Sequence, residues 1–234
     1  MIVRNQTLVR KRRPRKTAAA PPEVKPPGAR TRSRAEISRE QVLLGAAKLM
    51  RKQGYDATTL RQIAAAVGIK AGSIYYHFRS KEEILDAVLD LGITTVHDAV
   101  RREVIALGPD ASPRARIEVA IRTHLQALFE YGDYASVNMR IYGLLPEDVR
   151  LRNMRRREAY ADYWDELFRA AEEQNLIRHK FSPRVIRLIL IGALNWTVEW
   201  FDPRKGPVEN IAETFSSMIF DGLMPSDAER KPKK

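Results

Sequence analysis

From residue 35 onward, hydrophobic positions recur every three to four residues, and no stretch alternates at period two long enough to make a strand. Val42, Ala46, Leu49 and Met50 share one face of a first helix, with Ser38 as its expected cap, Gln41 as capping-box partner and Gly54 as its end. Thr58 and Thr59 are expected to cap a short helix, "LRQIAAAVG", closed by Gly68, and a third short helix should run from Lys70 to Phe78. Ser80 caps a fourth, whose acidic first turn (Glu82, Glu83) suits the helix dipole, and Ile84, Leu85, Val88 and Leu91 carry it past Val96. Ser112–Pro113 starts a helix through Tyr131, Asp133 caps a short one, and Pro146 starts a long one. On that long helix Tyr160, Tyr163, Trp164, Leu167, Phe168 and Ala171 form one stripe. Ser182–Pro183 opens a helix through Phe201, and Pro207 opens the last, with Val208, Ile211, Phe215, Met218 and Ile219 on one side. The pattern predicts an all-α protein of about nine helices.

Composition adds little to this, but the distribution of charge adds a partner. The 234 residues are 44% hydrophobic and 30% charged, as in a globular protein with room for a real core. Cysteine is absent, which excludes disulfides and thiol chemistry. The longest apolar stretch, Leu188 to Phe201, is interrupted by Asn195 and Glu199 and is too short for a membrane span. The start has no apolar core for a secretory signal, so a cytoplasmic protein is expected. Net charge is +12, and residues 1–34 alone hold 11 Lys/Arg against one acid. Residues 35–81 hold 8 against 3, and the remainder is mildly acidic. Such a field draws a polyanion to one end, nucleic acid ahead of an anionic membrane surface, and no membrane partner is expected. Residues 1–34 combine this charge with five prolines and few large apolar side chains, and so read as a disordered basic arm. The arm either contacts DNA or merely solubilises the chain; residues 226–234 read as a disordered tail.

One segment is too aromatic for a loop and too short for a core helix: "GSIYYHFRSKEE", residues 72–83. Two short helices joined by "VGIKAG", with Gly68 at the bend, make a helix-turn-helix, in which the second helix enters the major groove. Ile69, Ile74 and Phe78 would then lock the reading helix from beneath. Ser73, Tyr75, Tyr76, His77 and Lys81 would face outward with groups that hydrogen-bond phosphates. The competing reading makes both tyrosines and His77 satisfied core residues.

"TTLRQIAAAVGIKAGSIYYHFRSKEEILDAVL", preceded by "AAKLMRKQGYDA", resembles the DNA-binding domain of the TetR family of bacterial transcriptional regulators over about residues 36–90. The resemblance implies a three-helix DNA-binding domain at 35–81 and a larger helical-bundle domain for effector binding and dimerisation at 82–225. It implies DNA contacts at Arg61, Lys70, Ala71, Gly72, Ser73, Tyr75, Tyr76, His77 and Lys81. It also implies a homodimer through the last two helices on a palindromic operator, released by a small-molecule effector inside the bundle. The apolar character of Val185–Phe201 on every side points to the same dimer, or else to a purely intramolecular core. "NWTVEWFDPRKGP" and "VENIAETFSSMIFDGL" resemble the end of acyl-CoA-responsive members, and "RLRNMRRREAYADYW" offers Arg152, Arg155, Arg156 and Arg157 for phosphates. Arg157, Tyr160, Trp164, Asn195, Trp196 and Trp200 are the pocket candidates, weighed against a solvated arginine face and a core aromatic stripe.

No catalytic residue, metal site or cofactor is expected. The four histidines lack zinc-site spacing, and no phosphate loop or nucleophile elbow occurs, so the chain is not read as an enzyme. His97 and His124, on apolar helices, read as structural. The alternative function is an architectural DNA-coating protein driven by the basic arm, without ligand control.

Overall fold

The computed structural model describes residues 34–145, 147–177 and 181–222; residues 1–33 of the basic arm, Pro146 and the C-terminal tail lie outside them. Among the described residues there are nine α-helices and no strand, as the periodicity predicts. They are α1 (Arg34–Gln53), α2 (Leu60–Ala66), α3 (Ala71–Ile74), α4 (Lys81–Ala106), α5 (Pro113–Glu130), α6 (Gly132–Ile141), α7 (Glu147–Glu173), α8 (Pro183–Trp200) and α9 (Val208–Phe220). None is long and apolar enough to cross a membrane.

Local chemistry sets the boundaries, with four departures from expectation. α1 runs through Ser38 and begins at Arg34, because Ala35 and Glu36 are good helix formers and extend it by a turn. Thr59 alone caps α2: its hydroxyl accepts from Gln62 N (3.2 Å) while its own N–H donates to Gln62 Oε1 (2.9 Å). Thr58 is instead fully buried and donates to the Gly54 carbonyl at 2.7 Å, closing the α1–α2 loop. α3 is shorter than Lys70–Phe78; beyond Ile74 the chain continues as turns, with His77 N and Phe78 N both donating to the Ile74 carbonyl at 2.9 Å. Asp133 is no cap either. It lies in the first turn of α6 and pairs with Arg51 of α1 at 3.1 Å. Gly54 and Gly68 take φ of +83° and +71°, the left-handed conformation that ends α1 and turns α2 toward α3. Ser80 caps α4 by accepting from Glu83 N at 3.2 Å.

Two hydrophobic cores lie along α4. The first joins Val42, Leu43, Ala46 and Met50 of α1 to Ile63, Ile74, Phe78 and the stretch Ile84–Leu89, and it also takes in Val137, Ile141, Leu145 and Val149. The core of the reading head is therefore completed by α6 and the start of α7, and packing shows no break at residue 81. The second core gathers Val96, Val100 and Val104 of α4 with α5, Trp164, Leu167 and Phe168 of α7, and parts of α8 and α9. Where α4 passes from one core to the other, Gly92 lets α6 approach so closely that a Cβ there would overlap the Asn138 amide and the Tyr134 carbonyl.

Candidate DNA-contacting face and effector cavity

The turn after Gly72 separates an apolar underside from a polar top. Ile74 and Phe78 are buried, whereas Tyr76 is 88% and Tyr75 61% exposed. Arg61, Lys70, Ala71 and Gly72 are exposed beside them, and Ser73 and His77 are half-buried. The competing reading of Tyr75 and Tyr76 as core residues therefore fails: their rings stand in solvent on a head held from beneath. Lys81 behaves otherwise. Its ammonium turns back over the Tyr55 ring (4.1 Å to the centroid) and donates to the Tyr55 and Asp56 carbonyls at 3.1 and 3.5 Å. It thereby fastens the start of α4 to the α1–α2 loop, because loop carbonyls and the face of a phenol ring both attract an ammonium. Tyr55 also donates to Glu82 at 3.1 Å; burial and that carboxylate push its phenol well above its ordinary pKa.

The second site is a cavity of about 640 Å³, open to solvent on one side and lined from α4, α5, α6, α7 and α8, beside Gly92 where the two cores meet. Ile93, Val96, Leu128 and Ile191 supply apolar wall. Five of the six expected pocket residues line it: Arg157, Tyr160, Trp164, Asn195 and Trp196. Trp200 does not. One turn farther along α8, it is exposed and sets its edge against Phe201, 6.3 Å between centroids.

His124 is the residue that sequence reasoning missed, and it organises the cavity floor. Its Nδ1 lies 2.7 Å from the Tyr160 hydroxyl and its Nε2 3.2 Å from Asn195 Oδ1. With the amide oxygen facing Nε2, the ring donates there and accepts the Tyr160 O–H at Nδ1. Burial drives the His124 pKa down to about 4, so this relay is neutral, and burial likewise holds Tyr160 protonated. A polar residue at a core-periodic position of α5 was the signal available in the sequence. Between pH 6.5, the ordinary value, and about 4, the unfolded chain takes up a proton here that the folded chain refuses, so stability falls as pH falls. The loss approaches ~1.4 kcal/mol per pH unit in that window. Urea titrations at several pH values should show His124→Gln with a flatter dependence than the parent; an unchanged slope would mean His124 titrates normally.

The arginines of α7 divide by role. Arg152 pairs with Asp86 (2.9 Å) and Asp148 (2.8 Å), and Arg156 with Asp90 (2.7 Å), so both tie α7 to α4 and are not free for phosphates. Arg157 is different. Its guanidinium lies 3.6 Å over the Tyr142 ring and donates to Asn138 Oδ1 at 3.0 Å, and Asn138 in turn donates to the Leu89 carbonyl of α4. Among the described residues no carboxylate pairs with Arg157, and its buried Nε–H meets no acceptor. Burial lowers its pKa. The Trp164 indole N–H is also buried without a hydrogen bond of good geometry, although the Tyr160 hydroxyl is near.

Residues 42–88, from the first core positions of α1 into α4, match the family described as bacterial regulatory proteins, tetR family. Residues 110–223 match the tetracyclin repressor-like C-terminal domain. The chain belongs to the TetR family of bacterial transcriptional regulators. Its TetR-family relatives include the HTH-type transcriptional repressor KstR2 of Rhodococcus jostii (strain RHA1), 28% identical over 200 residues, which are 85% of this chain and 97% of the relative. Among solved structures it is similar to AibR in complex with isovaleryl coenzyme A and operator DNA (27% identity, TM-score 0.68, 78% of this chain and 97% of that one). It is also similar to PfmR from Thermus thermophilus (25% identity, TM-score 0.69, 79% and 99%). A TetR-family regulator, rather than a DNA coater without ligand control, is what these relationships favour.

Proposed function

We propose that this protein is a cytoplasmic repressor that binds a palindromic operator as a homodimer and releases it when an acyl-CoA thioester occupies the cavity. The observation that carries this reading is the path of α4. Its first turns share a core with the aromatic reading face, and its middle forms the cavity wall at Gly92, Ile93 and Val96. An occupant of the cavity thus bears on the element that carries the head. A shift in head spacing would spoil the fit of two heads to successive major grooves, provided the ligand favours the non-fitting state by a few kcal/mol. Arg61, Lys70, Ala71, Gly72, Ser73, Tyr75, Tyr76 and His77 form the proposed DNA face, with Lys81 acting beneath it. Phosphate contacts by phenols and backbone, with apolar contact to thymine methyls, suit this short helix. The acyl-thioester class is supported by the isovaleryl-coenzyme-A complex of AibR and by the apolar cavity wall. The dimer is supported by an exposed apolar stripe on α8: Val185, Leu188, Ile189, Trp196 and Trp200.

Footprinting over the protein's own promoter tests this. A discrete two-fold symmetric site, cleared by one of a panel of acyl-CoAs, is expected. Protection proportional to DNA length would instead indicate a coating protein, and a site that no acyl-CoA clears would refute the effector class.

A further inference from the structure

Resting on the reading of the cavity as the effector site, we infer that it selects an apolar effector bearing an anionic group for Arg157 and, about two helical turns away, a neutral acceptor oxygen for Trp164. The polar groups of the wall that lack partners are donors. Arg157 Nε–H and Trp164 Nε1–H are both buried; the first meets no acceptor, and the second has only the poorly aligned Tyr160 hydroxyl. The Tyr160 hydroxyl, both His124 ring nitrogens, the Asn195 carbonyl oxygen and the Asn138 amide are already committed, Tyr160 to His124, His124 to Asn195, and Asn138 to Leu89 and Arg157. A ligand that brings acceptors satisfies both donors, and the one carboxylate among the lining residues, Glu158, is exposed.

The charges on the wall agree. Arg187 is neutralised by Asp165 at 2.7 Å, Glu158 sits exposed, and Arg157 is left as a half-buried cation whose partner on the protein is an amide. A cation withdrawn from water without a counter-ion favours an arriving anion strongly. Arg157 and Trp164 are seven residues apart on α7, nearly two turns, so they share a face and lie about 10 Å apart along the axis. Between them lies the neutral relay. The ligand's charge and its second oxygen therefore belong at opposite ends of an apolar body. The anion could be a carboxylate on the acyl body itself or a phosphate reached through a thioester arm, and the two can be separated by experiment.

Titration calorimetry on the full chain would compare 9-oxodecanoate, decanoate, 2-decanone and decanoyl-CoA, each also scored for operator release. With charge and ketone both present, 9-oxodecanoate should bind at least about tenfold more tightly than 2-decanone and roughly threefold more tightly than decanoate. Arg157→Gln should erase the advantage of the charged compounds, Arg157→Lys should restore part of it, and Trp164→Phe should erase only the ketone's. Decanoyl-CoA binding that depends on Arg157, with no binding of decanoate, supports the inference with phosphate as the anion. Binding and release that survive Arg157→Gln within twofold, in a variant that still melts cooperatively, would overturn it. If the parent binds none of the four, or binds without releasing DNA, the effector reading itself falls.

Discussion

Ile189→Glu is expected to turn a dimer into monomers and to lower operator affinity by at least about a thousandfold. Ile189 is 70% exposed and stands in the middle of the α8 stripe, with Trp196 on the same face 62% exposed. Fully burying each such side chain stabilises an interface by ~1.5–3 kcal/mol. Two-fold symmetry counts every change twice and would place two carboxylates in one apolar seam. A single short reading helix cannot hold the ~4–10 kcal/mol that separates specific from non-specific binding, so a monomer falls back toward its non-specific affinity. Ile189 is not part of the cavity lining, so effector binding should outlast the change. Sedimentation equilibrium and operator anisotropy on the same samples decide it. A parent that is already monomeric, or a variant that stays dimeric, would show that α8 is not the interface.

Phe78→Ala and Tyr76→Ala, two residues apart, should fail in opposite ways. Phe78 is 1% exposed, with Ile74 beside it in the head core and the Arg39 guanidinium 4.9 Å above its ring. Its truncation should cost about 3–5 kcal/mol of stability, enough to disorder the head before any DNA is met. Tyr76 touches little, so its removal should leave stability within about 0.5 kcal/mol. Losing one phenol–phosphate hydrogen bond in each half-site should still weaken operator binding at least about tenfold. Urea denaturation reads the first effect and anisotropy the second. A folded Tyr76→Ala variant with undiminished operator affinity would remove the aromatic turn from the DNA interface.

Much of this was legible in one dimension. Helix capping is a local event, so Thr59, Ser80 and Ser112 could be placed from their neighbours, as could the glycines that end α1 and α2. The reading head was legible for the same reason: Ile74 and Phe78 beneath, Tyr75 and Tyr76 above, is a pattern within five residues. The cavity was legible in part: Arg157, Tyr160 and Trp164 on α7 and Asn195 and Trp196 on α8 were named, but the choice overshot to Trp200 farther along α8. How far a wall extends depends on where the neighbouring helices cross it.

The sequence by itself determined that the chain is helical, where most of its helices start to within a turn, and that a helix-turn-helix carries the aromatic turn. These depend on interactions three or four residues apart, which order in the chain specifies. Tertiary structure alone decided that Lys81 turns back onto Tyr55, that α6 completes the core of the head, and that Arg152 and Arg156 are tied to Asp86 and Asp90 while Arg157 is left with an amide. Those polar partners lie from 19 to 66 residues apart, and the charge of a side chain does not say which opposite charge the fold will bring beside it.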